Sequence, residues 1–585
     1  MLLPNLLATR KGRLGAFFAL YITEGIPLGF AITAIAYHLR RMGVGPAEIG
    51  AFVGSFYVPW AFKWAFGPFV DVFRSQRWGH RRAWIIVTQI LMAATLALLV
   101  VFELPAQLGL FTAVLFLHNT IAATQDVAID ALACNSLQED ERGLANGLMF
   151  AGAAIGQAIG GSGVLFLSAY LPFQSTFFFV AGAILCVTGL IVLPMKEAAV
   201  QAVAGQIGQL AQRAQGLRAA ALEMRAFAVS SFRAFMGTRG AFFGVAFNLL
   251  PAGAMALGLA LRSNLSVEFG LNENETAQLE LWSNVLSALA MVAGGWLSDK
   301  LGRRSTLFFY IALMSLPAAW LAWKLHQLGY VMPREAGARS PELATLLWIA
   351  TLVYNVFMGL MYGTRSAIMM DVTDPKVAGT QFTAYMAMAN LAIAYSATWQ
   401  GLSIEAFGYP KTLLIDACVG LFSLALLPWI RPPRAGEEGA DAPARRARGS
   451  AWVLALLCLA WLPFARWGDA LGAARGVLDL FFTLAFVMSA VLLLAGAALL
   501  PRAGLTRAAP WVALALLALY ARRFAEPGLA LQALTSAVAL AGAACLAGLA
   551  RLPWAELGSA SVATSTGDGV PTGDGVPPGA VRPLG

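Results

Sequence analysis

Long apolar segments alternate with short polar turns along most of the chain. A helix needs about 20 apolar residues to cross a bilayer. Segments of that kind fall near 13–36, 47–70, 83–103, 108–131, 144–168 and 173–194. A polar stretch rich in Ala, Gln and Arg follows at 196–239 and predicts an amphipathic helix lying along a membrane face. Six more spans are predicted near 240–262, 277–298, 305–325, 343–370, 379–402 and 411–430. A Pro/Gly/charge-rich linker, 431–449, then precedes an appended apolar region, 450–551. That region offers spans near 450–465, 476–500, 508–521 and 528–550, of which the first and third are short for a full crossing. The tail, 556–585, contains TGDGVP twice and lacks the apolar residues needed to fold, so it is expected to be disordered. The predicted organisation is an N-terminal six-helix half (1–195), a linker (196–239), a C-terminal six-helix half (240–430), a second linker (431–449) and an appended transmembrane region (450–551).

Composition supports this reading. Of 585 residues, 59% are hydrophobic and 12% charged, about half the charge of a soluble domain. A soluble enzyme, a disordered chain and a secreted disulfide scaffold are excluded on that ground. The net charge of +9 is topogenic rather than a nucleic-acid footprint, because the basic residues gather in alternate loops. Arg10, Lys11 and Arg13, then Arg74, Arg77, Arg81 and Arg82, and later Lys300, Arg303 and Arg304 all fall on one predicted side. The positive-inside rule puts that side, and the N-terminus, in the cytoplasm of an inner membrane. No short apolar stretch with a small-residue cleavage site precedes the first span, so no signal peptide is expected.

Little chemistry is written in the chain. The five cysteines lie in apolar stretches without CxxC spacing, and the four histidines form no HExxH pair. Neither a phosphate-binding G-x-x-x-x-G-K-[ST] loop nor a G-x-S-x-G elbow occurs. No metal, no cofactor and no enzymatic activity are expected. Six plus six spans around a basic connector is the layout of a two-halved secondary transporter with its site near the midplane. Channels and membrane enzymes also reach twelve spans, so local motifs must choose.

After the eighth span, Gly295, Asp299, Gly302, Arg303 and Arg304 stand in the pattern G-x-x-x-D-K-x-G-R-R. This resembles the signature loop between helices 2 and 3, and again 8 and 9, of the major facilitator superfamily. Gly295 would permit close helix approach and Gly302 a tight turn, with the arginines anchoring the loop. The matching place in the first half carries Gly67, Asp71, Gly79, Arg81 and Arg82, but Asp71 and Gly79 are eight apart where Asp299 and Gly302 are three apart. The longer first loop looks like the muropeptide permease and acetyl-CoA transporter branch. So do Phe62-Lys63-Trp64, Trp84 and the fourth-span segment Gln125-Asp126…Asp130. The resemblance covers about residues 13–430 and implies an all-α major facilitator fold of two six-helix halves, here with two to four extra C-terminal spans.

Ionisable residues inside spans are costly and are functional candidates by default. Glu24 lies halfway along span one, before Gly25 and Pro27, where a helix break is expected to open onto a cavity. Asp126 and Asp130 share one face of span four, and depth makes Lys63 a partner for Asp126. Glu24, Asp126 and Asp130 are the proton-coupling candidates. Substrate-contact candidates are Lys63, Trp60, Tyr57, Gln125, Asn248, Trp282, Tyr362 and Arg365; Arg365 is suited to an anionic group and the aromatics to a sugar or ring. Two alternatives stay open: Arg365 as a counter-ion of Asp371 or Asp126, and Asp130 and Asp371 as latches on loop basics. His118 and Asn119 read as satisfied core polar residues.

The expectation is a monomeric carrier that moves a small anionic or sugar-containing solute by alternating access. What the muropeptide branch implies is uptake coupled to protons. Alternatives are an acetyl-CoA-like or drug/metabolite carrier of the same fold and, from other classes, a polytopic membrane enzyme or a sensor.

Overall fold

The computed structural model describes residues 5–66, 70, 75, 78–137, 142–197, 229, 232–332, 340–373, 378–431, 441–472, 474–500, 507–524 and 528–554. These are helical almost throughout, and one isolated bridge, Ser75 to Gly79, is the extent of strand pairing among them. Among the described residues, twelve helices are long and apolar enough to cross a membrane. One of them, Gln381–Trp429, is two spans turned at Gly408 (φ 77°) ahead of Pro410.

The spans run as follows. Span 1 is Arg10–Arg41, span 2 Pro46–Ala61, span 3 His80–Leu99, span 4 Leu108–Ser136, span 5 Leu148–Ser168 and span 6 Phe173–Val192. Span 7 consists of two pieces, Arg239–Leu249 and Ala260–Glu268. Span 8 is Glu273–Leu301, span 9 Arg303–Gln327 and span 10 Pro341–Asp371. Spans 11 and 12 lie on either side of Gly408. The appended spans 13 to 16 are Ala442–Trp467, Ala474–Leu499, Ala509–Ala518 continued by Leu519–Phe524, and Leu529–Arg551. Span 15 is short in residues, but its last six are 3-10 helix. At 1.5 and 2.0 Å rise it reaches about 27 Å, close to the thickness of a hydrocarbon core.

Packing gives one apolar core to the second half, one to the appended region and two to the first half, of which one also takes in Met255, Leu259, Ala260, Ala277 and Ala397 of the second half. Spans 1 and 5 approach so closely that a Cβ on Gly25, Gly29, Gly156 or Gly160 would enter the facing backbone. The expected break at Gly25–Pro27 is therefore absent. Gly25 serves helix contact against Ala153, the α-helix runs unbroken to Gly29, and a wide π turn follows at Phe30–Ile35. Span 2 packs along span 11 and span 5 along span 8, which joins the two halves. The α-helix of span 2 stops at Ala61, earlier than expected, within a turn of Pro59, and Lys63–Phe66 continues as 3-10 helix. The appended spans bundle together, and span 14 lies on span 11 through Leu480, Tyr395 and Trp399.

At the face carrying the 41–46 turn, here the far face, polar contacts lock the halves together. Arg40 Nη2 lies 3.0 Å from Glu268 Oε2, and Arg41 pairs with Glu273. Tyr37 Oη donates to Leu271 O at 2.7 Å, Ala47 N to Glu405 Oε1 at 3.0 Å, and Ser263 Oγ to Ile32 O at 3.3 Å.

At the opposite, near face the signature loops close each half. Gly302 has φ 92°, and Arg303 Nη1 reaches Asp371 Oδ1 at 2.7 Å. Arg304 is exposed beside it. The close helix approach expected of Gly295 is made instead by its neighbour: Gly295 has open space around it, whereas Gly294 meets the backbone of Leu360. In the first half Gly79 has φ 89°, and the backbone N–H groups of Arg81 and Arg82 donate to Glu197 Oε2 at 2.9 and 3.3 Å. Arg82 Nε also donates to Val192 O at 3.0 Å. Gly67, Asp71, the side chain of Asp299, most of the 196–239 linker and the tail lie outside the described residues.

Candidate functional site

Spans 1, 2 and 4 bring four of the expected residues together. Lys63 sits on the tight turn after span 2 and points Nζ at Asp126 Oδ2, 2.7 Å away, and at Asp130 Oδ2, 3.9 Å away. Asp126 and Asp130 share a face of span 4 because they are one helical turn apart. The Glu24 carboxyl lies against that of Asp126, and its Oε1 is buried without a hydrogen-bond partner. Tyr21, three residues before Glu24 and so on the same face of span 1, donates to Asp130 Oδ1 at 2.6 Å.

Exposure orders the cluster. The Asp126 side chain is 4% exposed, Lys63 16% and Asp130 45%. Water reaches Asp130 first and Asp126 last. Three carboxyl groups face one ammonium, so with every group ionised the cluster would hold excess negative charge in a poorly solvated place, which is costly. Taking up a proton relieves that excess.

The second half has a basic centre. Arg365 of span 10 donates from Nη2 to Asn248 Oδ1 at 2.8 Å, and Asn248 donates from Nδ2 to Gly244 O and Met369 Sδ. Arg365 is buried, lies 5.8 Å from the Phe247 ring centre and leaves Nε without a partner. It makes no ion pair with Asp371 or Asp126: Asp371 pairs with Arg303, and Asp126 with Lys63. The nearby hydroxyls of Tyr57 (span 2) and Tyr362 (span 10) come from opposite halves and lie within electrostatic reach of each other. A buried ion pair, Arg262 with Glu280, lies within reach of Tyr57 as well, and Asn284 Nδ2 donates to Glu280 Oε1 at 3.2 Å.

Other expected contacts lie elsewhere. Gln125 is fully buried and donates to Thr23 Oγ1 at 2.9 Å inside the first half. Trp60 packs on the first-half core with its indole nitrogen unpartnered. Trp282 is 53% exposed in one outward stripe with Val285, Leu289, Val292 and Trp296, away from the interface. Its aromatic character alone could not reveal which face of span 8 it occupies. His118 Nδ1 bonds Thr95 Oγ1 at 2.8 Å but its Nε2 is buried without a partner, and Asn119 is buried with neither side-chain polar atom partnered, so neither is the fully satisfied core residue expected.

Sequence reasoning missed Tyr21, Arg262, Glu280 and Asp416. The i, i+3 spacing to Glu24 would have found Tyr21. Asp416 lies on span 12, is 1% exposed, and accepts hydrogen bonds from Met255 N, Ala256 N and Gln400 Nε2 at 2.8, 2.9 and 2.7 Å. Among the described residues no group of His, Cys, Asp and Glu has the arrangement of a metal site.

Comparison with known proteins agrees with this architecture. The Major Facilitator Superfamily model matches residues 14–260 and 241–570. The anhydromuropeptide permease of Escherichia coli (strain K12) is 21% identical over 424 residues, covering 72% of this chain and 79% of that protein. The inward-open xylose transporter XylE from E. coli superposes with a TM-score of 0.53 at 13% identity, over 72% of this chain and 98% of that one. A POT family transporter in complex with 5-aminolevulinic acid superposes with a TM-score of 0.54 at 11% identity, over 71% and 95%. With its multi-pass helical body, this chain belongs to the major facilitator superfamily of membrane transporters.

Proposed function

We propose that the chain carries a small anionic, sugar-containing solute of the anhydro-muropeptide kind across the inner membrane, in symport with protons, with its N-terminus in the cytoplasm. The observation that carries the coupling is the sharing of one ammonium, Lys63, by Asp126 and Asp130 while Glu24 presses on Asp126 with an unpartnered oxygen. Such a cluster changes its net charge by binding a proton, and the charge of spans 1, 2 and 4 then depends on the gradient. The solute end of the reading rests on Arg365. It is a buried guanidinium whose one hydrogen-bond acceptor among the described residues is the neutral Asn248 oxygen, so it keeps donors for a carboxylate or phosphate. The name of the E. coli relative supports the substrate class.

In alternating access the far-face interlocks, Arg40 with Glu268 and Arg41 with Glu273, hold the halves together while the near face admits or releases solute. Parting them exposes Tyr57, Tyr362 and the Arg262–Glu280 pair from the other side. The test is uptake of labelled anhydro-muropeptide into vesicles with and without a protonophore. Accumulation that collapses with the protonophore is expected. Accumulation indifferent to it contradicts coupling, and no uptake at all contradicts the substrate class.

A further inference from the structure

Span 7 is broken where the apolar pattern predicts a continuous helix, and a broken helix in a membrane leaves backbone donors and acceptors that water cannot satisfy. Among the described residues, every hydrogen bond that satisfies this break from outside comes from the second half. Leu249 O, at the end of the first piece, accepts from Tyr395 Oη of span 11 at 2.6 Å. Gly253 N, at φ 81°, donates to Gly420 O of span 12 at 3.1 Å, and the two glycines touch so closely that a Cβ on Gly420 would overlap the Gly253 backbone. Ala254 N donates to Ser315 Oγ of span 9 at 3.3 Å. The next two N–H groups, Met255 and Ala256, both point at Asp416 Oδ2, and Gln400 holds the other oxygen. No cation lies within ion-pair distance of Asp416 among the described residues; the carboxylate is held by N–H donors alone.

Beyond the break the second piece, Ala260–Glu268, keeps Leu261 and Leu265 in the second-half core and the Arg262–Glu280 pair, and reaches the first half as well. Ser263 reaches Ile32 of the first half, and Glu268 pairs with Arg40. Span 7 is therefore hydrogen-bonded to its own half up to residue 256 and bridges both halves beyond it. We infer that Asp416 is the positioning residue of this junction: its carboxylate pins the unwound segment to spans 11 and 12, so that the far piece of span 7 stays aligned with the first half and seals the far face. The role is independent of which solute is carried and of proton coupling.

The assignment predicts which atom matters. An oxygen acceptor at position 416 should suffice. In Asp416→Asn the amide oxygen still receives both backbone N–H groups, and its NH2 meets Gln400, whose Oε1 has no partner and accepts after an amide flip. Asp416→Ala removes the acceptor. The full chain is purified in detergent with Cys458 as the remaining native cysteine and Ser263→Cys as reporter; both positions are buried. In Asp416→Ala, reaction of a bulky maleimide at position 263 should rise about tenfold, the shift expected on leaving buried N–H donors without an acceptor, with Cys458 unchanged. Asp416→Asn should behave like the parent. If Asp416→Ala does not fold, Gln400→Leu, which strips one donor from the carboxylate, should give a smaller rise of the same kind. An unchanged rate at position 263, an equal rise in Asp416→Asn, or a parallel rise at Cys458 would each overturn the assignment.

Discussion

The Lys63 ammonium is shared between two carboxylates of one helix face, 2.7 Å from Asp126 and 3.9 Å from Asp130. This arrangement makes Lys63 the counterweight of the whole cluster, since Glu24 also borders Asp126. Removing one member of a buried pair leaves an uncompensated charge, at a cost of roughly 3–5 kcal/mol, whereas replacing both with apolar residues is near neutral. Lys63→Met should accordingly show the lowest melting temperature of the set, because three carboxyls then face no cation. Asp126→Leu should be milder, since Lys63 keeps Asp130, and Lys63→Met/Asp126→Leu should recover part of the loss. A double variant no more stable than Lys63→Met would show that the pair is not coupled.

Arg365 donates to one neutral acceptor, Asn248, and leaves Nε free. A lysine there keeps the charge but loses the planar, bidentate donor set. Arg365→Lys should raise KM for an anionic solute about tenfold or more, the worth of one charge-assisted contact, with a smaller effect on kcat. For a solute analogue without its acidic groups the variant and the parent should converge. Equal KM values for the anionic solute would remove Arg365 from the site.

The far-face seal rests partly on Arg40 and Glu268, whose side chains are 12% and 6% exposed and which Tyr330 supports through Glu268 Oε1 at 2.7 Å. Arg40→Glu places like charges in contact and should shift the chain towards separation of the halves at that face. Arg40→Glu/Glu268→Arg should restore the parental state. Spin labels at Met42 and Asn274 read the change as a longer distance population in the single variant that disappears in the double. An unaltered distance in Arg40→Glu would contradict the locking role.

How much of this was legible in the sequence follows from what each residue's partners are. The spans were legible because apolar runs of bilayer length have few other uses. Lys63 and Asp126 were legible as partners because ionisable residues in spans are few and their depths match. Arg303 and Asp371 meet as the signature loop suggests. The contacts around Asp416 were not legible. Its backbone partners lie 160 and 161 residues away, and Pro251 and Gly253 are hidden in an otherwise apolar run. Gly25 and Pro27 misled for the opposite reason: glycine marks a break or a close helix contact with equal ease, and only the facing span 5 decides between them. Tyr21 was not legible as part of the acid cluster because an uncharged tyrosine in an apolar span carries no charge signal, although its hydroxyl donates to Asp130.

The most direct test of coupling is whether solute brings protons with it. Proteoliposomes holding the purified chain are suspended in weakly buffered medium without an imposed gradient, anhydro-muropeptide is added, and external pH is recorded with an electrode. The cluster around Lys63 predicts alkalinisation with solute entry. In Glu24→Gln the pH change should vanish while exchange of labelled for unlabelled solute persists. Solute entry without a pH change in the parent, or an unaltered pH change in Glu24→Gln, would contradict the account.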